Sequence, residues 1–262
     1  MVSTMTKVVI HTVGRVPDEF VDFVQRTLET FYRNAGDGPL LVEVYVYASS
    51  LEKRMFLEME ALELGVVVVG DFTTLHEAWR GWPRIHVDYE RCRDLDPEII
   101  EALLLHEAVH SILHGSIASY IIEIDSDLAT KLGFDLYAES IYLACSAIKD
   151  YEVCRYMIEK NMHSELVRYA KFVRSLVIDQ NCSDLISTLQ VLKSLASIAC
   201  IDLPPDLNVV PSSCKPYLEL LSDLHSKCLD LSSCANELLR LLVKRFVEES
   251  RASQGSTPRD SV

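Results

Sequence analysis

The residues with the clearest potential for chemistry are two histidines and a glutamate in the segment His106-Glu107-Ala-Val-His110. Residues four apart project from one face of an α-helix, so both imidazoles can bind the same metal ion. Zinc is commonly bound by such a pair. Glu107, next to the first histidine, can take a proton from a zinc-activated water and pass it to a leaving amine. The segment therefore predicts a zinc-dependent hydrolase site.

The sequence around this segment predicts the helix that the site requires. Asp96 can cap the first free N–H groups, Pro97 suits the first helical position, and Glu98 favours the positive end of the helix dipole. Gly115 is a typical residue for a helix end. Histidine and glutamate inside so apolar a helix are costly unless they are paired or bound to metal. The alternative is a hydrogen-bonded histidine pair with Glu107 in a salt bridge.

A third protein ligand is needed to complete a zinc site. A helix predicted over 134–160 offers three carboxylates, on Glu139, Asp150 and Glu152. By helical spacing, Glu139 and Asp150 share a face, whereas Glu152 points elsewhere. His114 lies too far along the first helix to complete the tetrahedron, so we expect it to be a supporting or helix-end residue.

An HExxH helix that follows a small sheet resembles the zincin metallopeptidases, in their gluzincin or aspzincin-like branch. The metzincin branch is excluded, because its pattern has glycine and histidine where this chain has Leu113 and Ser116. The resemblance covers roughly residues 40–155. It implies an edge strand that pairs with an extended peptide substrate, and the segment 84–89 lies in the matching place.

The resemblance also ranks the carboxylates. The stretch 146–154 is similar to an Asn-x-x-x-Asp-x-x-Val-Asn pattern of HExxH proteins with aspartate as third ligand, although Ser146 and Cys154 replace both asparagines. Asp150 is therefore ranked first, Glu152 second and Glu139 third.

Other polar residues are candidates for lesser roles. Charge that develops on a substrate carbonyl needs a stabilising donor. Tyr142, Tyr151 and His86 are candidates, and none is assigned this role. Arg84 and Asp88 are expected to decorate the face of a strand.

Strands and helices alternate in the first part of the chain, and only helices are predicted after it. The predicted strands cover 7–13, 40–48, 65–69 and 84–89. The predicted helices cover 17–34, 51–63, 96–114, 117–131, 134–160, 163–178, 183–200 and 214–248. This order predicts an α+β fold, with a small mixed sheet and the HExxH helix, followed by an all-helical part. We expect a zincin-like subdomain over 1–115, a helical subdomain that supplies the third ligand over 116–248, and a disordered tail over 249–262.

The composition limits the partners and the location of the protein. The net charge of −14 argues against nucleic acid and against anionic lipid as partners. No apolar run is long enough for a membrane span, and no signal core is found near residue 1, so the cytoplasm is the expected location. None of the eight cysteines forms a CxxC pair. Buried thiols or disulfides remain open for the five after residue 180.

Together these features predict a zinc-dependent metallopeptidase with a peptide or protein substrate, Zn²⁺ as cofactor and Glu107 as general base. Two other functions remain open: a non-catalytic zincin-like protein that binds or regulates a partner, and a metal-dependent hydrolase of a non-peptide amide or ester. The sequence does not indicate the oligomeric state.

Overall fold

The structure, a computed structural model, describes residues 6–66, 71–177, 180–202, 210–225, 227–228 and 230–254. The chain forms two compact units. The first combines Met1–Ile121 with Arg155–Phe172, and the second combines Ile122–Cys154 with Val173–Val262. The units therefore interleave along the chain. The division at residue 115, which followed the change from mixed to helical sequence, stays a prediction.

The first unit contains the sheet of an α+β protein. Its strands are β1 (Lys7–Val13), β2 (Leu41–Tyr47), β3 (Thr74–Glu77) and β4 (Arg84–Asp88). Their order is β1-β2-β4-β3, with β1, β2 and β4 parallel and β3 antiparallel to β4. The predicted strands that correspond to β1, β2 and β4 are confirmed. β3 was not predicted, and the strand expected over 65–69 falls mainly outside the described residues.

Helices cover both faces of this sheet. They are α1 (Asp18–Ala35), α2 (Ser50–Leu64), α3 (Tyr89–Cys92) and α4 (Pro97–Leu113), followed by a 3-10 helix (Ile117–Tyr120). The alternation of β2 places Val42, Val44 and Val46 on one face, where all three are fully buried. α1 and α4 pack together on that side, and α2 packs on the other, where Phe56 contacts Tyr45.

Buried polar and charged side chains lie between α2 and the face of the sheet that it covers. We call this group the ion-pair cluster; it consists of Lys53, Glu60, Glu77, Arg84, His86 and Asp88. The Arg84 guanidinium donates to both oxygens of Glu60 at 2.7 and 2.5 Å and also to Glu77. The Lys53 ammonium lies 2.8 Å from Asp88. Arg84 and Asp88, expected as strand decoration, are instead buried because opposite charges neutralise them.

The second unit is helical. The remaining helices of the chain are α5 (Ser126–Leu132), α6 (Phe134–Glu159), α7 (His163–Val177), α8 (Leu185–Ala196), α9 (Lys215–His225) and α10 (Leu231–Gln254). The last residues of α6 and most of α7 belong to the first unit. α8, α9 and α10 pack on one another. None of the helices in the described ranges has the length and hydropathy of a membrane span.

Two predicted helices are each divided in the structure. The one expected over 117–131 is a 3-10 helix followed by α5, and the one expected over 214–248 is α9 followed by α10. α10 continues to Gln254, and the rest of the tail predicted to be disordered lies outside the described residues. A disulfide joins Cys182 and Cys214 within the second unit. Two of the five cysteines after residue 180 are therefore disulfide-bonded.

Candidate metal centre

The candidate centre is built on α4, as the sequence predicts. The Asp96 side chain caps this helix by accepting a hydrogen bond from the N–H of Glu98 at 2.9 Å, and Pro97 occupies its first turn. Every residue from 102 to 111 is buried, because α4 packs against both α1 and the strands β3 and β4. A helix that is apolar on nearly all sides is typical of such a position.

The two histidines of the motif face one another. The Nε2 atoms of His106 and His110 lie 3.1 Å apart, and the rings meet edge to face. Both side chains are less than one-tenth exposed. Two nitrogens on one tetrahedral zinc are about 3.3 Å apart, given Zn–N bonds of about 2.0–2.1 Å. The spacing of this pair therefore fits a shared metal ion.

His114 supports the second histidine from the end of α4. Its Nδ1 lies 3.1 Å from Nδ1 of His110, and its backbone N–H donates to the carbonyl of His110 at 2.7 Å. When Nδ1 of His110 is the donor of this hydrogen bond, its Nε2 carries the lone pair that a metal ligand needs. The prediction that His114 is a helix-end residue is confirmed, since α4 ends at Leu113.

Glu107 is held by β3, the strand that was not predicted. The Thr74 hydroxyl donates to Oε1 of Glu107 at 2.9 Å, and both side chains are buried. In β3, Thr74 and His76 are paired with Val87 and Ile85, so they share the face that α4 covers. We use the name histidine cluster for His106, Glu107, His110, His114 and Thr74.

Aromatic rings pack against both histidines of the motif. The ring of His76 is stacked parallel to that of His110, with centroids 5.9 Å apart, and its Nδ1 lies 3.3 Å from the hydroxyl of Tyr120. The ring of Tyr169 stacks on His106 at 4.4 Å. These neighbours come from β3, the 3-10 helix and α7. None of these neighbours was predicted, because His76 and Tyr169 reach α4 from segments distant in sequence.

The third ligand predicted from the sequence lies on α6. The end of α6 belongs to the first unit, where the Tyr156 hydroxyl donates to Asp37 at 2.9 Å. Asp150 is half-buried and falls in the earlier part of α6, which belongs to the second unit. Its role as the third metal ligand stays a prediction.

The lower-ranked carboxylates and the oxyanion candidates lie elsewhere. Glu139 is exposed, and Glu152 is half-buried. His86 belongs to the ion-pair cluster, where its Nδ1 lies 2.8 Å from the Tyr47 hydroxyl. In the second unit, the Tyr151 hydroxyl donates to Ser222, and the Lys193 ammonium lies over the ring of Tyr142.

Comparison with known proteins gives no match: neither a family model, nor a curated protein, nor a solved structure matches this chain.

Proposed function

We propose that this protein is a zinc-dependent metallopeptidase. The observation that supports the proposal best is the buried pair of imidazoles on α4, whose Nε2 atoms lie 3.1 Å apart with Glu107 between them in sequence. Histidine nitrogens at that spacing are suitable zinc ligands, and a carboxylate that follows the first ligand is suitable as a base.

The ligands of the zinc ion would be Nε2 of His106, Nε2 of His110 and a carboxylate oxygen of Asp150. When bound, zinc supplies Lewis acidity that makes water more acidic and polarises a carbonyl. With its ring proton on Nδ1, His110 would donate to Nδ1 of His114, and its Nε2 would be available as a ligand.

Glu107 is the proposed general base. Its carboxylate accepts a proton from the attacking water and later passes that proton to the leaving amine. The Thr74 hydroxyl, which donates to Oε1, orients this carboxylate. Tyr169 and His76 pack on the two histidine rings and exclude water from the sides of the cluster.

A peptide is the preferred substrate because an edge strand lies beside α4. The resemblance to zincins assigns the substrate backbone to such an edge, where it pairs as an added strand. This role was predicted for the segment 84–89, but β4 is an inner strand, paired with both β2 and β3. β3 is the edge strand, and it carries Thr74 and His76.

The test is metal analysis of the purified protein, combined with digestion of a peptide library. We expect one zinc per chain and cleavage that stops when a chelator is added. His106→Ala should lose both zinc and cleavage. Glu107→Gln should keep the zinc, while its turnover falls by about 10²–10⁴-fold. His163→Ala, an exposed histidine at the start of α7, is the matched control and should change neither.

Two results would overturn the proposal in different ways. Cleavage by Glu107→Gln at the wild-type rate would remove the assigned base. Zinc without cleavage of any peptide would favour the non-catalytic binding protein, unless a panel of small amides and esters is hydrolysed instead.

The third ligand has its own test. Asp150→Asn should weaken zinc binding by more than about tenfold, because loss of a group that only supports a ligand already costs that much. Glu152→Gln, two residues further along α6, should leave the zinc affinity within about twofold. The opposite result would assign the ligand to Glu152.

A further inference from the structure

The second unit brings cysteines together in pairs. Seven of the eight cysteines of the chain belong to this unit, and Cys92 belongs to the first. Cys182 and Cys214 form a disulfide. Cys154, near the end of α6, and Cys200, which follows α8, are adjacent thiols without a bond between them.

The contacts of Cys154 and Cys200 place the two sulfurs within reach of one another. The backbone N–H of Cys200 donates to Sγ of Cys154 at 3.1 Å. One N–Cα bond adds about 1.5 Å, so the Cα atom of Cys200 is at most about 4.6 Å from that sulfur. The thiol of Cys200 contacts the carbonyl of Tyr151, one turn before Cys154 on α6, at 3.8 Å.

We propose that Cys154 and Cys200 are a redox-active dithiol that reacts with small disulfides of the glutathione type to form a second disulfide in this unit. The proposal does not depend on the zinc site. It assigns a modification site to a part of the chain that the proposed peptidase chemistry does not use.

The difference in exposure sets the order of the two exchange steps. Cys200 is half-buried, whereas Cys154 is fully buried. The Cys200 thiolate attacks one sulfur of the small disulfide, whose S–S bond breaks to release one thiolate. Cys154 then loses its proton and attacks Sγ of Cys200, which releases the second thiolate. Two cysteine thiols are oxidised, one small disulfide is reduced to two thiols, and the two protons go to those products.

Burial explains why Cys154 is the second thiol to react. Desolvation and the neighbouring Cys200 raise the pKa of the Cys154 thiol, so that it is protonated at neutral pH. The thiolate is the reactive form, and a buried thiol is also hidden from the external disulfide. Cys145, buried on the same helix and with its pKa raised to about 12, serves as an internal reference that should stay reduced.

The new bond would close a loop across 46 positions of sequence. This loop includes residues 155–172, which belong to the first unit, together with α8. A cross-link over such a loop removes freedom from the unfolded chain, so we expect the midpoint of thermal unfolding to rise by about 5–10 °C.

The experiment uses the full chain, treated with mixtures of reduced and oxidised glutathione, then quenched, alkylated and mapped as peptides without reduction. We expect a linked peptide that contains Cys154 and Cys200, formed and lost reversibly with the glutathione ratio. Cys92 and Cys145 should be recovered as alkylated thiols, which shows that they stayed reduced. Absence of this linked peptide at every ratio, or a link from Cys200 to another cysteine, would overturn the proposal.

Two variants separate the roles of the thiols. In Cys154→Ser, glutathione should stay attached to Cys200, because no second thiol is present to displace it. In Cys200→Ser, Cys154 should not be modified. Cys145→Ala is the matched control and should form the linked peptide as wild type does. A stable glutathione adduct on Cys200 in the wild-type chain would contradict the mechanism, and this result does not require any variant to fold.

Discussion

The two faces of the sheet in the first unit both bury polar side chains, but they use different chemistry. On the α2 face, the ion-pair cluster combines a guanidinium and an ammonium with carboxylates. On the α4 face, the histidine cluster combines imidazoles with a carboxylate and a hydroxyl. Arginine and lysine carry fixed charges that neutralise their partners, whereas neutral imidazoles are ligands for a metal ion.

The comparison shows how burial alone can mislead. Arg84 is as deeply buried as His106, yet its contacts account fully for its position, since Glu60 and Glu77 accept its hydrogen bonds. For His106 and His110, the direct approach of two Nε2 atoms is the informative feature. The type and direction of the nearest atoms distinguish a structural cluster from a candidate metal centre.

The largest effect is expected from breaking the ion-pair cluster. Arg84→Met leaves Glu77 buried without its cation and Glu60 with only the more exposed Arg80, which should lower the free energy of unfolding by about 3–5 kcal/mol. Chemical denaturation measures the loss. Addition of Glu60→Gln and Glu77→Gln should recover part of it. Arg80→Met removes a more exposed partner of Glu60 and should have a much smaller effect. Equal losses for the two arginines would contradict the comparison.

Removal of zinc should have the next largest effect, and only through the histidine cluster. At a free zinc concentration 100 times the Kd, binding to the folded chain adds about 2.7 kcal/mol to its free energy of unfolding. Chelation should therefore lower the stability of wild type and of Glu107→Gln. The stability of His110→Ala should not respond to zinc. A response of that variant equal to the wild-type response would place the metal elsewhere.

A smaller effect is expected from the hydroxyl that orients Glu107. Thr74→Val removes the hydrogen bond but keeps the branched shape, so turnover should fall about tenfold, the equivalent of one hydrogen bond to a charged group. Thr74→Ser keeps the hydroxyl and should retain most of the activity. The zinc content should be unchanged in both. An inactive Thr74→Ser would show that the methyl group, and not the hydrogen bond, matters.

The smallest effect on the ion-pair cluster is expected from acid, because protonation of a carboxylate weakens its ion pairs but leaves the side chain in place. Burial alone would raise the pKa of the Glu60 carboxyl, but hydrogen bonds from Arg84 and Arg80 outweigh it and lower that pKa. A lowered folded-state pKa gives stability that is present above the unfolded value of about 4.3 and is lost as the pH falls through the folded value. With chelator present, stability should hold from pH 7 to about 4.5 and fall below that. Glu60→Gln should show a shallower fall.

Local sequence chemistry predicted most of the elements and the pair of histidines. The alternation of Val42, Val44 and Val46 indicated β2, and Asp96 with Pro97 indicated the start of α4. The approach of His106 to His110 follows from helical spacing alone. Aspartate caps were the signals that were missed: Asp125 caps α5, and Asp230 caps α10 where a single long helix was expected.

The remaining parts depend on contacts between distant segments. β3 is four residues long, and its Thr-Leu-His-Glu sequence has little apolar alternation, so it is defined by its pairing with β4. Thr74 contacts Glu107 from a segment before α4, and Tyr169 stacks on His106 from a segment after it. Helical spacing separated Asp150 from Glu152, which points elsewhere, but only the resemblance ranked Asp150 above Glu139 on the same face.

The interleaving of the two units has a consequence for synthesis of the chain. After the ribosome has completed α4, the first unit still lacks Arg155–Phe172, which provides Tyr169 over His106 and Tyr156 beside Asp37. At about 5–20 residues per second, translation leaves several seconds in which the apolar side of α1 and α4 is incompletely covered. A fragment that stops at Ile121 would remain in that state. A shortened gene for this unit should therefore delete 122–154 and rejoin the flanking segments.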